Sequence, residues 1–475
     1  MNPAEFRRAM QQVTERIAQF LEQPEKWRVF PTVSPGDVRT SLPGSAPVNG
    51  ESFDSILADF DRLIMPATTH WNHPGFMAYF AVTGSAPGIL AETLIAALNV
   101  NAMVWRSGPA QTELEEVTLA WLRQLIGLPA DFDGVINDTA STSTFYALTA
   151  ARELLPDLKL REEGLAGRPE VPRLAVYCSE EAHSSVAKAA ITLGVGLSGV
   201  RRIRTDSEYR MDVAALRATI AADRQRGIRP LAVVATVGTT STTSIDPVPQ
   251  IADVCAEHGV WLHVDAAYAG SAALLPELQH ILAGCERAHS LVVNPHKWLF
   301  VPIDCSVLYT RRPDLMRRAF SLTPDYLTTP EGDLARNLMD YGVALGRRFR
   351  ALKLWFVLRY YGSAGIAARI REHIRLAAQL AEQVDAQPDF ERLATPQFST
   401  VVFRYKPSGA SDGPGLDALN ERILERVNAS GEVYLSHTVA KGRYALRVAI
   451  GNMRTTEQHV ARAWELIRNA ARLDK

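Results

Sequence analysis

Residues 231–265, LAVVATVGTTSTTSIDPVPQIADVCAEHGVWLHVD, decide the fold. They open on an apolar run, Leu231–Thr236, cross a hydroxyl-rich turn, and enter a helical stretch over Val248–His258. They close on a second apolar run, Trp261–Asp265. The first run has no polar residue before Thr236 and the second is mostly apolar, so each reads as a short strand covered on both faces. Outward from this unit the texture repeats. Further apolar runs stand at Gly134–Asn137, Leu174–Cys178, Leu291–Asn294 and Ser306–Tyr309, with helical stretches at Thr142–Leu155 and His183–Leu193. Short, doubly apolar strands alternating with helices predict a largely parallel sheet with helices on both faces.

The flanks differ. Asn2-Pro3 caps an amphipathic helix carrying Phe6, Met10, Val13, Ile17, Phe20 and Leu21. After a Pro/Gly-rich tether from Pro31 to Gly50, a second helix aligns Phe53, Ile56, Leu57, Phe60, Leu63 and Ile64. Two tethered helices make a poor domain and must lie against something else, the rest of the chain or a second copy of it. Thr112-Glu113-Leu114-Glu115 reads as a capping box opening a helix that closes at Gly127-Leu128-Pro129. Near Tyr361-Gly362 the pattern resets into long helices plus strands at Thr400–Tyr405 and Ala445–Ile450, then a terminal helix from Thr455. The expected organisation is an N-terminal helical segment over 1–85, a large α/β domain over 86–362 and a small α+β domain over 363–475.

Composition removes several function classes. The 475 residues carry 51 Lys+Arg against 52 Asp+Glu, a net charge of −1, with 47% hydrophobic and 22% charged. That excludes a wholly disordered or fibrous chain and withholds the broad positive field of a nucleic-acid binder. Cys178, Cys255, Cys285 and Cys305 are far apart without a CxxC pair, so structural zinc and a disulfide framework are poorly supported. No metal is expected. Asp, Arg or Glu interrupts every candidate membrane span and no apolar leader follows Met1, so a cytoplasmic, reduced protein is expected.

In open α/β sheets ligands gather at the carboxyl ends of the strands. Four turns there carry chemistry. Asn137-Asp138-Thr139-Ala140-Ser141-Thr142-Ser143-Thr144 sets hydroxyls and helix-opening amides where a phosphate would bind, although Asp138 opposes an anion. Thr239-Thr240-Ser241-Thr242-Thr243-Ser244 is a second hydroxyl cluster. In His263-Val264-Asp265-Ala266-Ala267-Tyr268 a carboxylate ends an apolar strand, where it needs a cation or several donors. Ala266 and Ala267 leave room for a flat ligand. In Asn294-Pro295-His296-Lys297-Trp298-Leu299-Phe300, apolar neighbours on both sides desolvate Lys297, which lowers an amine pKa and frees it to attack a carbonyl. His183 stands just past another strand.

An imine-forming lysine, a buried acid to keep a pyridine nitrogen protonated and a hydroxyl-rich phosphate cradle are the requirements of pyridoxal phosphate. The motifs Asn294-Pro295-His296-Lys297-Trp298, His263-Val264-Asp265-Ala266-Ala267-Tyr268 and Ala182-His183-Ser184-Ser185 resemble those of the pyridoxal-phosphate-dependent aromatic-L-amino-acid decarboxylases (group II) in order and spacing. Similarity continues through His70-Trp71, His73-Pro74, Ala78-Tyr79-Phe80 and Gly346-Arg347-Arg348-Phe349-Arg350. It covers essentially the whole chain.

The resemblance implies a type I, aspartate-aminotransferase-like fold in a homodimer with the active site at the interface, the helices of 1–85 forming a flap on the partner. It implies pyridoxal 5'-phosphate held by Lys297 as a Schiff base, Asp265 on the pyridine nitrogen and His183 stacked on the ring. Ala140, Ser141, Thr240 and Asn294 match other cofactor contacts, with Ala267 and His296 as supporting neighbours. Tyr326 matches the family's mobile-loop tyrosine, the proton donor to Cα. Trp71, Tyr79, Phe80, Val82, Met103, Trp105 and Gly346 are the candidate substrate contacts, Met103 and Trp105 coming from the neighbouring subunit. The implied activity is decarboxylation of an aromatic L-amino acid to the amine. The alternative is an aromatic aldehyde synthase; plant members typically replace the loop tyrosine with phenylalanine, and an insect branch alters the stacking histidine. Departures from the family pattern fall at Ala81, Val82, Asp138 and Thr142.

Overall fold

The apolar runs become strands of one sheet: β1 Asp133–Asn137, β2 Leu174–Ser179, β3 Val200–Ile203, β4 Arg229–Thr236, β5 Trp261–Asp265, β6 Ser290–Val293 and β7 Ser306–Thr310. In this computed structural model, which describes residues 1–80, 82–322, 331 and 334–473, their order is β1-β7-β6-β5-β4-β2-β3. Only β7 runs against its neighbours; the pairs among β2 to β6 are parallel. Every residue of β2, β5, β6 and β7 is buried, the consequence of helices covering both faces. The mostly parallel sheet follows the sequence reading. β3 was not foreseen, because Arg201 and Arg202 interrupt its apolar pattern at the edge of the sheet.

The helices largely follow expectation, with one correction. The helix expected to open at the capping box of Thr112 runs instead over Pro109–Leu125. Gly108-Pro109 is the real start, since a proline in the first turn sacrifices no hydrogen bond. Thr112 lies buried inside the helix, its hydroxyl donating to the Gly108 carbonyl at 3.0 Å. The stretch expected over Thr142–Leu155 is a helix at Ala140–Ala151 extended by a 3-10 turn, Arg152–Leu154. The pattern break near Tyr361-Gly362 is a kink: Gly362 takes φ 63° inside Ala351–Asp385.

Two units partition the chain. One comprises Val82–Ala377 and Ala394–Thr400 and holds the seven-stranded sheet. The other comprises Met1–Ala81, Ala378–Leu393 and Val401–Lys475. The smaller sheet, β8 Phe390–Arg392, β9 Thr400–Tyr405, β10 Ser436–Ala440 and β11 Arg443–Ala449, has the order β10-β11-β9-β8. The N-terminal segment joins it through a bridge between Phe76 and Tyr434, and Asn452 donates to the His73 carbonyl at 3.0 Å. Asn2 caps the first helix, Pro3–Glu22, accepting from the Ala4 and Glu5 amides. Phe6, Ile56, Phe60 and Ile64 remain exposed, so much of the apolar surface of the two tethered segments is bare in the single chain. All four cysteines are buried free thiols with pKa values raised by burial, which makes them core residues. No helix among the described residues is long and apolar enough to cross a membrane.

Candidate active site

The carboxyl ends of β1, β2, β4, β5 and β6 share one edge of the sheet, and each delivers a predicted turn. At β1, Glu115 accepts from the Ile136 amide at 2.8 Å and pairs with Arg347 at 2.9 Å, while Arg347 donates to the Ile136 carbonyl. This buried pair fixes the strand that leads into the first turn and accounts for one arginine of the Gly346–Arg350 motif. Thr139 then caps the helix Ala140–Ala151 by accepting from the Thr142 amide. The amides of Ala140 and Ser141 open that helix and have no carbonyl four residues back within it. Ser141 is exposed. Asp138, a concern for anion binding, turns its carboxylate onto the Thr139 amide at 2.7 Å.

The second hydroxyl cluster divides in two. Thr239 and Thr242 share a hydrogen bond of 3.1 Å, Thr242 and Ser244 one of 2.9 Å, and the Ser244 amide donates to the Thr239 hydroxyl. Those three buried hydroxyls knit the loop, whereas Thr240 is exposed at its tip. Gly238 enters the loop at φ 87°, and a Cβ there would lie 2.6 Å from that of Ala269. Only glycine fits both constraints.

Asp265 ends β5 at 7% exposure and accepts the Ala267 amide at 3.1 Å. The adjacent turn carries Lys297 on a four-residue helix, Pro295–Trp298. The two turns are joined by the Asn294 amide donating to the Ala267 carbonyl at 3.0 Å. His296 is buried and accepts the Cys305 amide at 2.9 Å through Nδ1. Burial, with Lys297 adding to it, pushes its pKa down to about 3, so this imidazole stays neutral. His183 comes just before the helix Ser185–Thr192 and accepts the Ser185 amide at 3.2 Å. Its pKa is lowered, first by loss of hydration and further by the Lys297 charge, against an opposing pull from Asp265. The imidazole therefore senses both the amine and the acid.

Trp71, Tyr79 and Phe80 belong to the other unit. There Trp71 stacks on Phe76 at 4.4 Å and on Tyr79 at 5.6 Å, and Arg447 donates to the Tyr79 carbonyl and lies 4.5 Å over the Phe80 ring. Met103 and Trp105 are half-buried; the Trp105 indole donates to Glu113 at 2.9 Å. Val82 is half-buried too, and Gly346 is exposed, with its nearest outside atom 3.9 Å from where a Cβ would stand. Tyr326 and Ala81 lie outside the described residues. Missed in the sequence was His373, which accepts the Trp298 indole N–H at 3.0 Å. A lone histidine on a helix gives no signal of that role.

The family model for the pyridoxal-dependent decarboxylase conserved domain matches residues 35–406. Tryptophan decarboxylase TDC2 of Camptotheca acuminata is 40% identical over 99% of this chain and 95% of its own length. Phenylacetaldehyde synthase of a Rosa hybrid cultivar is 38% identical over 99% and 94%. The crystal structure of Oryza sativa TDC with PLP and tryptamine superposes with a TM-score of 0.95 at 36% identity, covering 100% of this chain and 99% of that one. A parallel α/β sheet with a lysine turn braced against an acid turn defines the class as a pyridoxal-phosphate enzyme of the type I fold. The chain belongs to the pyridoxal-dependent decarboxylase family and is a carboxy-lyase.

The residues present fit that cofactor. Among the described residues, Asn294 Oδ1 is buried without a hydrogen-bond partner beside the lysine turn, a state that normally awaits a donor. The acid, the amine, the helix-opening amides and the exposed hydroxyls of Ser141 and Thr240 supply the remaining groups it requires.

Proposed function

We propose that the protein decarboxylates an aromatic L-amino acid of the tryptophan, tyrosine, phenylalanine or dopa type, releasing the amine and carbon dioxide. The observation that carries this reading is the pair of braced turns bearing Asp265 and Lys297, with His183 sensing both, in a chain similar over nearly its whole length to an enzyme named for tryptophan. Pyridoxal phosphate, once bound, supplies the electron sink that accepts the pair left when the Cα–carboxylate bond breaks. Lys297 would hold the cofactor as a Schiff base. Asp265 would keep the pyridine nitrogen protonated, with His263 beside it neutral. His183 would cover the ring face. Ala140, Ser141 and Thr240 would hold the phosphate, Asn294 would offer its side-chain oxygen, and Ala267 and His296 would keep the turns in place. Tyr326 would return the proton to Cα.

Trp71, Tyr79, Phe80, Val82, Met103, Trp105 and Gly346 are proposed for the substrate side chain, and apolar surroundings favour loss of neutral carbon dioxide over a solvated carboxylate. The working form is a cytoplasmic homodimer with its sites at the interface, Met103 and Trp105 coming from the partner, and residues 1–85 forming a flap on it. The bare apolar faces around Phe6, Ile56 and Phe60 support that arrangement. Residues 86–362 and 363–475 are the cofactor and small domains of this assembly.

The resemblance to the rose phenylacetaldehyde synthase favours one second reading: oxidation by dioxygen with consumption of one water, releasing aldehyde, ammonia, carbon dioxide and hydrogen peroxide. The retention of Tyr326 and His183 favours the amine. The test is a product assay with tryptophan, tyrosine, phenylalanine, dopa and histidine that follows carbon dioxide, amine, aldehyde and peroxide together. Amine matching carbon dioxide one for one is expected from the wild type. Tyr326→Phe should divert product to aldehyde and peroxide, and an unchanged amine yield in that variant would remove Tyr326 from the reaction.

A further inference from the structure

Helix Pro295–Trp298, which carries Lys297, is four residues long, and no side chain among the described residues caps its start. So short a helix has little stability of its own, and its geometry must be imposed by packing. Trp298 imposes it. The indole is 1% exposed and stacks on Tyr268 at 4.6 Å with an interplanar angle of 15°. Tyr268 follows Asp265 by three residues, as Trp298 follows Lys297 by one, so the stack ties the acid turn to the lysine turn. The Tyr268 hydroxyl is itself fixed on Ser399 at 2.5 Å, and Phe398 meets both rings edge-on. Added to the pairing of β5 with β6 and the backbone bonds Ala266–Val292 and Asn294–Ala267, this stack holds the side-chain end of the lysine turn against the acid turn.

A stack fixes distance but leaves the indole free to slide in its plane. A buried indole N–H must also find an acceptor. His373 meets both needs. It is fully buried, its Nδ1 accepts the Trp298 N–H at 3.0 Å, and the two rings are parallel within 4°. Phe300 closes on the imidazole edge-on at 5.9 Å. A bond in the plane of the indole resists the one motion that the stack permits. The bond also requires Nδ1 without a proton, since a protonated imidazole has only donors.

We propose that His373 is a positioning residue for Lys297: by accepting the Trp298 indole N–H it fixes the orientation of the lysine turn against the Asp265 turn. The proposal rests on the assignment of Lys297 as the cofactor-bearing residue and Asp265 as its acid. His373 acts through Trp298.

Three variants of the holoenzyme test it. H373L removes the acceptor, W298F removes the donor while keeping a ring on Tyr268, and H373N restores an acceptor near the position of Nδ1. H373L and W298F should lower kcat about ten- to hundredfold, as misplacement of a reacting group by a fraction of an ångström to an ångström does, with KM changed less than about twofold. Both should also move the pH midpoint of the cofactor's visible absorbance band and speed cofactor loss on dialysis. H373N should return the midpoint toward the wild-type value, and the H373L/W298F double variant should be no worse than the worse single one. If H373L fails to fold, W298F carries the comparison. A wild-type midpoint and kcat in these variants, or H373N as impaired as H373L, overturns the proposal. Borohydride reduction and peptide mapping of the wild type separate it from its premise. Cofactor trapped on another lysine removes the Lys297 assignment and this proposal with it; cofactor on Lys297 with unshifted variants removes only the role of His373.

Discussion

Asp265 combines two demands that pull apart. It is almost fully buried at the end of an apolar strand, and the described structure gives its side chain one amide donor, from Ala267. His263, two residues back along β5, has its pKa pushed down to about 4 by burial and supplies no charge at neutral pH. A carboxylate so placed is costly until a cation faces it. The protonated ring nitrogen of the cofactor is that cation under the proposed function. Stability and activity should therefore respond to Asp265→Asn in opposite senses. The apoprotein should melt no lower than the wild-type apoprotein, because a buried carboxylate with one amide donor has been replaced by a neutral group. The reconstituted variant should lose about hundredfold or more in kcat, the size of effect seen when a preorganised electrostatic partner is deleted. Melting curves of both apoproteins and steady-state rates of both holoenzymes check the pair. An apoprotein destabilised by the substitution would show that Asp265 is held by structural donors and not by the cofactor.

The loop between β4 and the helix Val248–His258 separates structure from ligand binding within a few residues. Thr242 sits between Thr239 and Ser244 in a buried chain of hydroxyls, whereas Thr240 is exposed. Thr242→Val should cost about 1–3 kcal/mol of stability by leaving two hydroxyls short of a partner. Thr240→Ala should leave the melting temperature of the apoprotein unchanged and raise the dissociation constant for pyridoxal phosphate. Thermal melts with a cofactor titration read the two effects separately. In the sequence the six hydroxyls looked alike; which of them face inward depends on the turn set by Gly238 and by Thr243 at φ 60°. Other elements were legible in proportion to how local their causes are. β5 and the helix Val248–His258 match their predicted ranges, since burial on both faces and helical periodicity are written in consecutive residues. Thr112 misled because the capping-box pattern also fits the interior of a helix that Gly108-Pro109 had already opened. The bond from Trp298 to His373 spans 75 residues, beyond any local pattern.

Across the whole molecule the sequence conveyed the sheet and the turns that carry chemistry, because an α/β sheet places its ligand at strand ends that can be counted. Much less legible was the protonation state of the interior, which depends on what packs around each group. Burial holds His73, His263 and His289 near a pKa of about 4 and His296 near about 3. In the unfolded chain these imidazoles titrate near the ordinary histidine value of 6.5. The folded state thus binds fewer protons than the unfolded state between these values. The resulting stability is fully present above about pH 6.5 and is lost as pH falls toward about 4, at about 1–2 kcal/mol per imidazole by pH 5. Asp246 acts in the opposite sense: burial raises its pKa to about 6, so acidification toward 4 relieves the cost of its charge. Glu116 and Glu153 are raised by burial as well, but His70, His183 and His459 are lowered like the four, so the imidazoles prevail. Urea unfolding at saturating pyridoxal phosphate should show a lower midpoint at pH 5 than at pH 7.5. His289 offers a control away from the lysine turn, because it accepts the Leu262 amide at 3.0 Å through Nδ1, a bond that asparagine can mimic without titrating. His289→Asn should flatten the pH dependence by one imidazole's share while keeping most of the stability at pH 7.5. Equal midpoints at the two pH values in the wild type would mean that these imidazoles gain compensating partners on acidification.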